Sequence, residues 1–494
     1  MVPTTVSPAP APAPLKTVVV LGAAYGGARA AHLLANAVPE GWRVIVVDRN
    51  SHVNHVYTFP RYSVLLGHEH KACMHYALLP RYLQLNPRLV IPTRNIFQLP
   101  DPSAPSPHIV LHAQVESFHP DHIVLSRAFP EFGIHSTTLH YEYAVYALGS
   151  QLPDPVNLRG PRLDSKDKDR TECNGTKAEG ISWLQSSQKV IAAAGSVLVV
   201  GGGALGIQLA SDIADVHPTK KVTLLHSRRR LLPKYDEGMH VEIVQSLIAL
   251  NVDMILGERL DMSSVDKVND AGQRVVRTQS GREIAADVLL LCTGQIPNTA
   301  LLKEMDPSTL NPENSLAHVL RTLQLGVIAP SVSVSPNSAD AESSTMISDA
   351  TRLQAALEKL ALDEINAPSE KSVSSTSSTP VSEEEFEDTP YGNIFVIGDA
   401  ADAFGAIQAG HNAYAQADVA AKNILKLING SGKDELERYT PSPPSIKVSV
   451  GIAKRVYQVN GVIKSINNGI NDMLAKSMWP KFGIEVKDDA DMYE

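Results

Sequence analysis

The chain has 494 residues, 43% of them hydrophobic and 20% charged, with a formal net charge of -9. At roughly 150 residues per domain, that length suggests about three units of ordinary globular composition, and the acidic balance excludes a general nucleic-acid binder. Cys73, Cys173 and Cys292 stand about a hundred residues apart, which excludes a disulfide scaffold or local redox dithiol and fits a reducing, cytoplasmic setting.

Residues 1–15 carry an Ala-Pro repeat and read as a disordered, polyproline-like tail. They lack the apolar core of a signal peptide and the arginines of a transit peptide. Lys16-Thr17-Val18-Val19-Val20-Leu21 then leads into Gly22-Ala23-Ala24-Tyr25-Gly26-Gly27, an Ala/Leu-rich helical stretch and a second β-branched run ending at Asp48-Arg49. Strand, glycine turn, helix and strand open a doubly wound nucleotide fold. Asp48 lies 26 residues after Gly22, where a carboxylate accepts hydrogen bonds from a ribose 2′-OH. His52, His55, His68, His70, Cys73 and His75 follow without a standard zinc spacing, so no metal ligands are assigned and polar surface histidines are the default.

A charged, turn-rich stretch near residues 160–180 reads as a linker. The same grammar then returns: Ser196-Val197-Leu198-Val199-Val200, Gly201-Gly202-Gly203-Ala204-Leu205-Gly206, a helix, and a strand ending at His226. Residues 191–210 are uncharged over a membrane-spanning length, but five glycines break them, so they read as a buried strand entering a helix. Helix N-termini at both turns offer free N–H groups and partial positive charge to a pyrophosphate. His226, 25 residues after Gly201, is followed by Ser227-Arg228-Arg229-Arg230. No carboxylate there repels a 2′-phosphate, and guanidinium groups suit one. The first turn therefore suits a dinucleotide with a free ribose, and the second favours NADPH, with dual use of NADPH and NADH next.

Residues 329–389 are Ser/Glu/Pro-rich and poor in core formers, predicting a disordered insertion. Order resumes in a strand ending at Gly398-Asp399. Val459, Val462, Ile463, Ile466, Ile470, Met473, Leu474 and Met478 fall at helical spacing, predicting a helix that continues the apolar character into Trp479 and Phe482.

These turns, in order with Ala147-Leu148-Gly149-Ser150, Leu291-Cys292-Thr293-Gly294 and Gly398-Asp399, resemble the two-dinucleotide-binding-domain flavoproteins of the pyridine nucleotide-disulfide oxidoreductase superfamily. GGGALGIQLASDI, KVTLLHS, LCTGQIPN and NIFVIGDAADA are most similar to its apoptosis-inducing-factor-like group, which includes ferroptosis-suppressor and fungal members. The resemblance implies an α/β fold of two Rossmann-like, glutathione-reductase-like domains. The FAD domain is split over residues 16–158 and 297–432, the NAD(P)H domain spans 159–296, and 433–494 form a C-terminal cap. The apolar C-terminal helix would pack on the flavin domain; its second reading is a peripheral membrane or quinone-entry surface.

FAD would lie on Gly22, Ala24, Gly26, Gly27, Asp48 and Arg49, with Asp399 at its ribityl or pyrophosphate region and Gly149 and Gly294 where the domains join. A helix beginning near Ile407 would aim its N-terminus at the flavin pyrimidine. NADPH or NADH would lie on Gly201, Gly203, Gly206, His226, Arg228 and Arg229. Relatives often carry Glu at the position of Gln208 and Lys at or near Gln408; glutamine orients a ligand but supplies no proton. With His55, beside the Tyr57-Thr58-Phe59-Pro60 segment that borders the isoalloxazine in related quinone reductases, these two form the candidate catalytic set. The implied activity is hydride transfer from NAD(P)H to FAD, then electron transfer to a small acceptor. A quinone is favoured because no cysteine pair serves a dithiol. Two other readings remain: a flavin enzyme of a secondary-metabolite pathway, and a redox-signalling scaffold with incidental turnover.

Overall fold

The computed structural model describes residues 14–75, 95–101, 106–160, 163, 174–328, 389–467 and 469–493. The expected tail up to residue 13, Cys173 with most of the expected linker, and the 329–388 insertion lie outside the described residues.

The first unit comprises β1 (Lys16–Leu21), α1 (Tyr25–Ala35), β2 (Trp42–Asp48), β3 (Ile109–His112) and β4 (Tyr143–Tyr146). The second follows as α2 (Lys177–Ala193), β5 (Ser196–Val200), α3 (Ala204–Val216), β6 (Lys221–His226), α4 (Glu237–Ala249), β7 (Asp253–Leu256) and β8 (Val288–Leu291). The chain then returns to the first sheet through β9 (Ile394–Val396) and α5 (Gly410–Ile428). All pairings in both sheets are parallel, in the orders β3-β2-β1-β4-β9 and β7-β6-β5-β8. Helices cover such sheets on both faces, so their strands read as unbroken apolar runs: Val18, Val19, Val20 and Leu21 are all at 0% exposure. Residues 191–210 resolve into the end of α2, then β5 and the start of α3. Among the described residues no helix is long and apolar enough to cross a membrane.

In both sheets the order reverses beside the first strand, opening a crevice at the strand ends. Each glycine turn is packed into that crevice in the same way. A Cβ on Gly22 would stand 2.5 Å from the Ala147 carbonyl oxygen, and one on Gly201 2.6 Å from that of Cys292. A Cβ on Gly27 or Gly206 would collide with the carbonyl oxygen of Gly22 or Gly201, respectively. These four positions therefore exclude side chains for steric reasons. The crossings between units run side by side, Ser150–Gln151 pairing antiparallel with Ile296–Pro297 just beyond Gly149 and Gly294.

The first part of the expected C-terminal helix instead belongs to an antiparallel sheet of β10 (Ile446–Val450), β11 (Lys454–Val459) and β12 (Val462–Asn467), and only its end, Ala475–Phe482, is helical, as a 3-10 helix. Asn460 and Gly461 take φ values of 50° and 74°, the left-handed pair that closes a two-residue hairpin, so the helical spacing of the apolar residues is overridden by a turn signal. Packing is divided between the units: Tyr439, Trp479, Phe482, Ile484 and Met492 join the core of the first, as expected for Trp479 and Phe482, while Val448, Val450 and Val456 join that of the second. The helix expected near Ile407 starts three residues later, at Gly410.

One buried ion pair joins three parts of the chain. Arg61, in the short helix Phe59–Tyr62, donates from Nε and Nη2 to the Asp212 carboxylate on α3 at 2.7 and 3.0 Å. Its Nη1 reaches the carbonyls of Ile452 and Asn471, and Nη2 also reaches that of Gly451. Burial pushes the Asp212 carboxyl up, against the pull of the guanidinium. Arg61→Met strands a buried carboxylate and is expected to cost about 3–5 kcal/mol in urea unfolding. The double variant Arg61→Met/Asp212→Leu should recover part of that loss; an Arg61→Met protein as stable as wild type would show that the pair carries no structural load.

Candidate functional site

The two glycine turns are tied down by the residue that ends the second strand of each unit, and the chemistry of that residue differs. In the first, Ala23 N–H donates to Asp48 Oδ2 and Asn50 N–H to Oδ1, both at 2.7 Å. In the second, Gly202 N–H donates to His226 Nδ1 at 3.0 Å. The carboxylate keeps further lone pairs for ribose hydroxyls. The half-buried imidazole has its basicity lowered by desolvation and presents no negative charge.

A cavity of about 1290 Å³ lies against the second turn. Gly201, Gly203, Gln208, His226, Arg228 and Gly294 line it together with His55 and Gln408, so the three candidate catalytic side chains share one space. Gly206 is packed behind the turn, and Arg229 is outside the lining. Arg230 is committed to the carbonyls of Pro233 and Tyr235. Arg259 does line the cavity, although no motif marks it. It follows β7 and reaches the site because β7 pairs with β6. Met473, Leu474 and Met478 form an apolar wall, which is where part of the misread C-terminal stripe goes.

Gly22, Ala24, Gly26, Gly27, Asp48, Arg49, Gly149 and Asp399 do not line this cavity. Beside the first turn, an aromatic cluster forms around Tyr25, a position the glycine motif leaves unspecified. The Tyr25 hydroxyl is 2.9 Å from His55 Nδ1, and its ring meets Tyr57 edge-on at 5.4 Å. The Tyr57 hydroxyl accepts the Gly410 N–H at 2.7 Å, occupying a free donor of the first turn of α5. Burial pushes both phenols up and holds the His55 imidazole down at about 4, so the cluster is uncharged at neutral pH. Both glutamines act as fixed amides. Gln208 Nε2 donates to Ser449 Oγ at 3.0 Å, and Gln408 Nε2 to the Asp399 carbonyl at 3.2 Å. The Asp399 carboxylate accepts from Ser150 Oγ at 3.1 Å, while burial pushes its pKa up.

The histidine-rich segment disperses. His68 stacks on Tyr62 and His70 on Tyr493, and the Cys73 thiol lies 3.8 Å from Asn54 Oδ1. Cys73 and Cys292 are both free, and burial raises the Cys73 thiol to about 12 and also raises that of Cys292.

The arrangement fits two dinucleotides: two strand ends where backbone approaches without side chains, two helix N-termini, and one carboxylate at a ribose position. The pyridine nucleotide-disulphide oxidoreductase family model matches residues 16–318. The chain belongs to this family. It is 37% identical to Fe-regulated protein 8 of Mycosarcoma maydis over 96% of both chains. It is also 24% identical to apoptosis-inducing factor homolog B of Dictyostelium discoideum, over 65% of this chain and 67% of that one. Its fold matches that of NDH2 from Plasmodium falciparum in complex with RYL-552, with a TM-score of 0.59 at 10% identity over 97% and 96% of the two chains. The protein is therefore an apoptosis-inducing-factor-like, pyridine nucleotide-dependent flavin oxidoreductase, and its cofactors are FAD and NAD(P)H.

His55 carries a pH signature. Its folded pKa of about 4 lies below the unfolded value of about 6.5, so its contribution to stability is complete above pH 6.5 and lost as pH falls towards 4. Thermal melts across that window should show a shallower slope for His55→Gln than for wild type; identical slopes would place the titration elsewhere. Native protein treated with iodoacetamide at pH 8 should leave the Cys73 peptide unmodified in mass spectra, with labelling only after denaturation.

Proposed function

We propose that this flavin oxidoreductase takes hydride from NADPH in preference to NADH and reduces a quinone or a comparably flat small acceptor. The observation that carries the reading is the single cavity shared by the second glycine turn, Arg228, Arg259 and Arg455, Gln208 and Gln408, His55 and an apolar wall. FAD, when bound, accepts hydride from the nicotinamide and releases its electrons to the acceptor.

The chain's own residues supply placement. The first turn, with Asp48, holds the FAD ribose and pyrophosphate, and the second turn holds NADPH. Arg228 and Arg259 receive the 2′-phosphate, which His226 tolerates where a carboxylate would repel it. Gln208, pinned by Ser449, orients the nicotinamide amide, and Gln408 sets the backbone at Asp399. Met473, Leu474 and Met478 suit an apolar acceptor ring. A dithiol acceptor relay finds no support in Cys73 or Cys292, since both are free thiols and desolvation raises the pKa of each. The two glutamines, standing where relatives often carry charged residues, support a second reading as a pathway-specific enzyme with a specialised acceptor.

Stopped-flow reduction by NADPH and NADH, followed by reoxidation with a quinone panel and with oxygen, tests both halves. Arg228→Ala/Arg259→Ala should raise the NADPH KM tenfold or more, equivalent to about 1.4 kcal/mol, and leave that for NADH nearly unchanged. Arg229→Ala should leave the ratio alone. Equal effects on both nucleotides would defeat the phosphate assignment, and reoxidation by quinones no faster than by oxygen would defeat the acceptor.

A further inference from the structure

We propose that Asp121, His122 and His140 bind one divalent transition-metal ion on the outer face of the flavin-side unit, away from the cofactor cavity. Their ligand atoms all lie within 4.8 Å of one another, and they are the only such grouping of three among the described residues. None of them lines the cavity.

The supporting element is a small antiparallel sheet of Val115–Phe118, His122–Leu125 and Thr138–His140. Its inner face is anchored: Phe118, Ile123, Leu125 and Leu139 are buried in the first core, and Phe118 meets the ring of Tyr146 on β4 at 5.5 Å. The outer face is therefore held in position. His122 and His140 are directly opposed across the ladder, with ring centroids 5.4 Å apart. Direct cross-strand neighbours have Cβ atoms about 5 Å apart, which places two imidazoles on one ion.

Asp121 adds a carboxylate oxygen 2.7 Å from His122 Nδ1. The turn that carries it is fixed by Tyr141 N–H donating to the Asp121 carbonyl at 3.0 Å, and by Asn393 Nδ2 donating to that of Pro120 at 2.9 Å. His119 stacks on His122 at 4.3 Å and covers one side of the group. Metal–ligand distances of about 2.0–2.2 Å require donor atoms a little over 3 Å apart, reachable here by small side-chain rotations. Two imidazoles and one carboxylate select zinc, copper or nickel over magnesium or calcium, and three protein ligands leave a fourth position for water. Bound metal would clip two strands together and stabilise the folded state by mass action.

The test uses the full-length, FAD-loaded protein stripped with a chelator and titrated calorimetrically with zinc chloride. Expected is one saturable site, with affinity reduced at least about tenfold in His140→Ala and in Asp121→Asn. A zinc-dependent rise in melting temperature should appear in wild type and be lost in both variants. NADPH oxidation should be unchanged, and His68→Ala should bind zinc like wild type. Absence of saturable uptake, uptake that survives His140→Ala, or equal competition by magnesium would overturn the site. Because Asp121 and His140 are exposed, the two variants leave the core intact.

Discussion

The pair Arg61–Asp212 sets the geometry on which the cofactor cavity depends. Five acceptors surround a fully buried guanidinium, drawn from α3, from the turn after β10 and from Asn471. Gln208 lies one turn before Asp212 on α3, and His55 and Tyr57 lead into the helix that carries Arg61. The ion pair therefore fixes the separation between the walls on which those side chains stand. Desolvating both charges is costly, so much of the pair's Coulomb gain is offset. A guanidinium fork specifies direction and register as well as contact. Its value here is placement.

The two glycine turns are held at their strand ends by residues of different chemistry. Asp48 and His226 each receive the second amide of their glycine turn, so both serve the backbone in the same way. They differ in charge. A carboxylate suits ribose hydroxyls, while a neutral imidazole leaves room for a phosphate that neighbouring arginines can attract. One structural task, holding the glycine turn, is solved with two chemistries.

The aromatic cluster of Tyr25, His55 and Tyr57 shows how a site acquires character between its motifs. Tyr25 occupies an unconstrained place in the first glycine turn, and Tyr57 meets the N-terminus of α5 across more than 350 residues of sequence. Burial keeps the His55 imidazole neutral beside two neutral phenols.

Strand, turn and helix in both units were legible in the sequence because backbone geometry there depends on local residue type. β-branched runs make buried parallel strands, and close carbonyl approach at Gly22, Gly27, Gly201 and Gly206 tolerates no side chain. Asp48 and His226 were legible for the same reason, being a fixed distance along the chain from those turns. The C-terminal segment was misread because its 3.6-residue apolar spacing was coincidental, and the Asn460-Gly461 turn outweighed it. Arg259, the Arg61–Asp212 pair and the Asp121–His122–His140 group were invisible for a different reason. Their partners lie on other strands and helices, at separations that no linear motif records. Sequence alone determined which nucleotide fold this is and where its phosphates can approach. Tertiary structure decided which side chains share a cavity, because desolvation and strand pairing act between residues brought together only by folding.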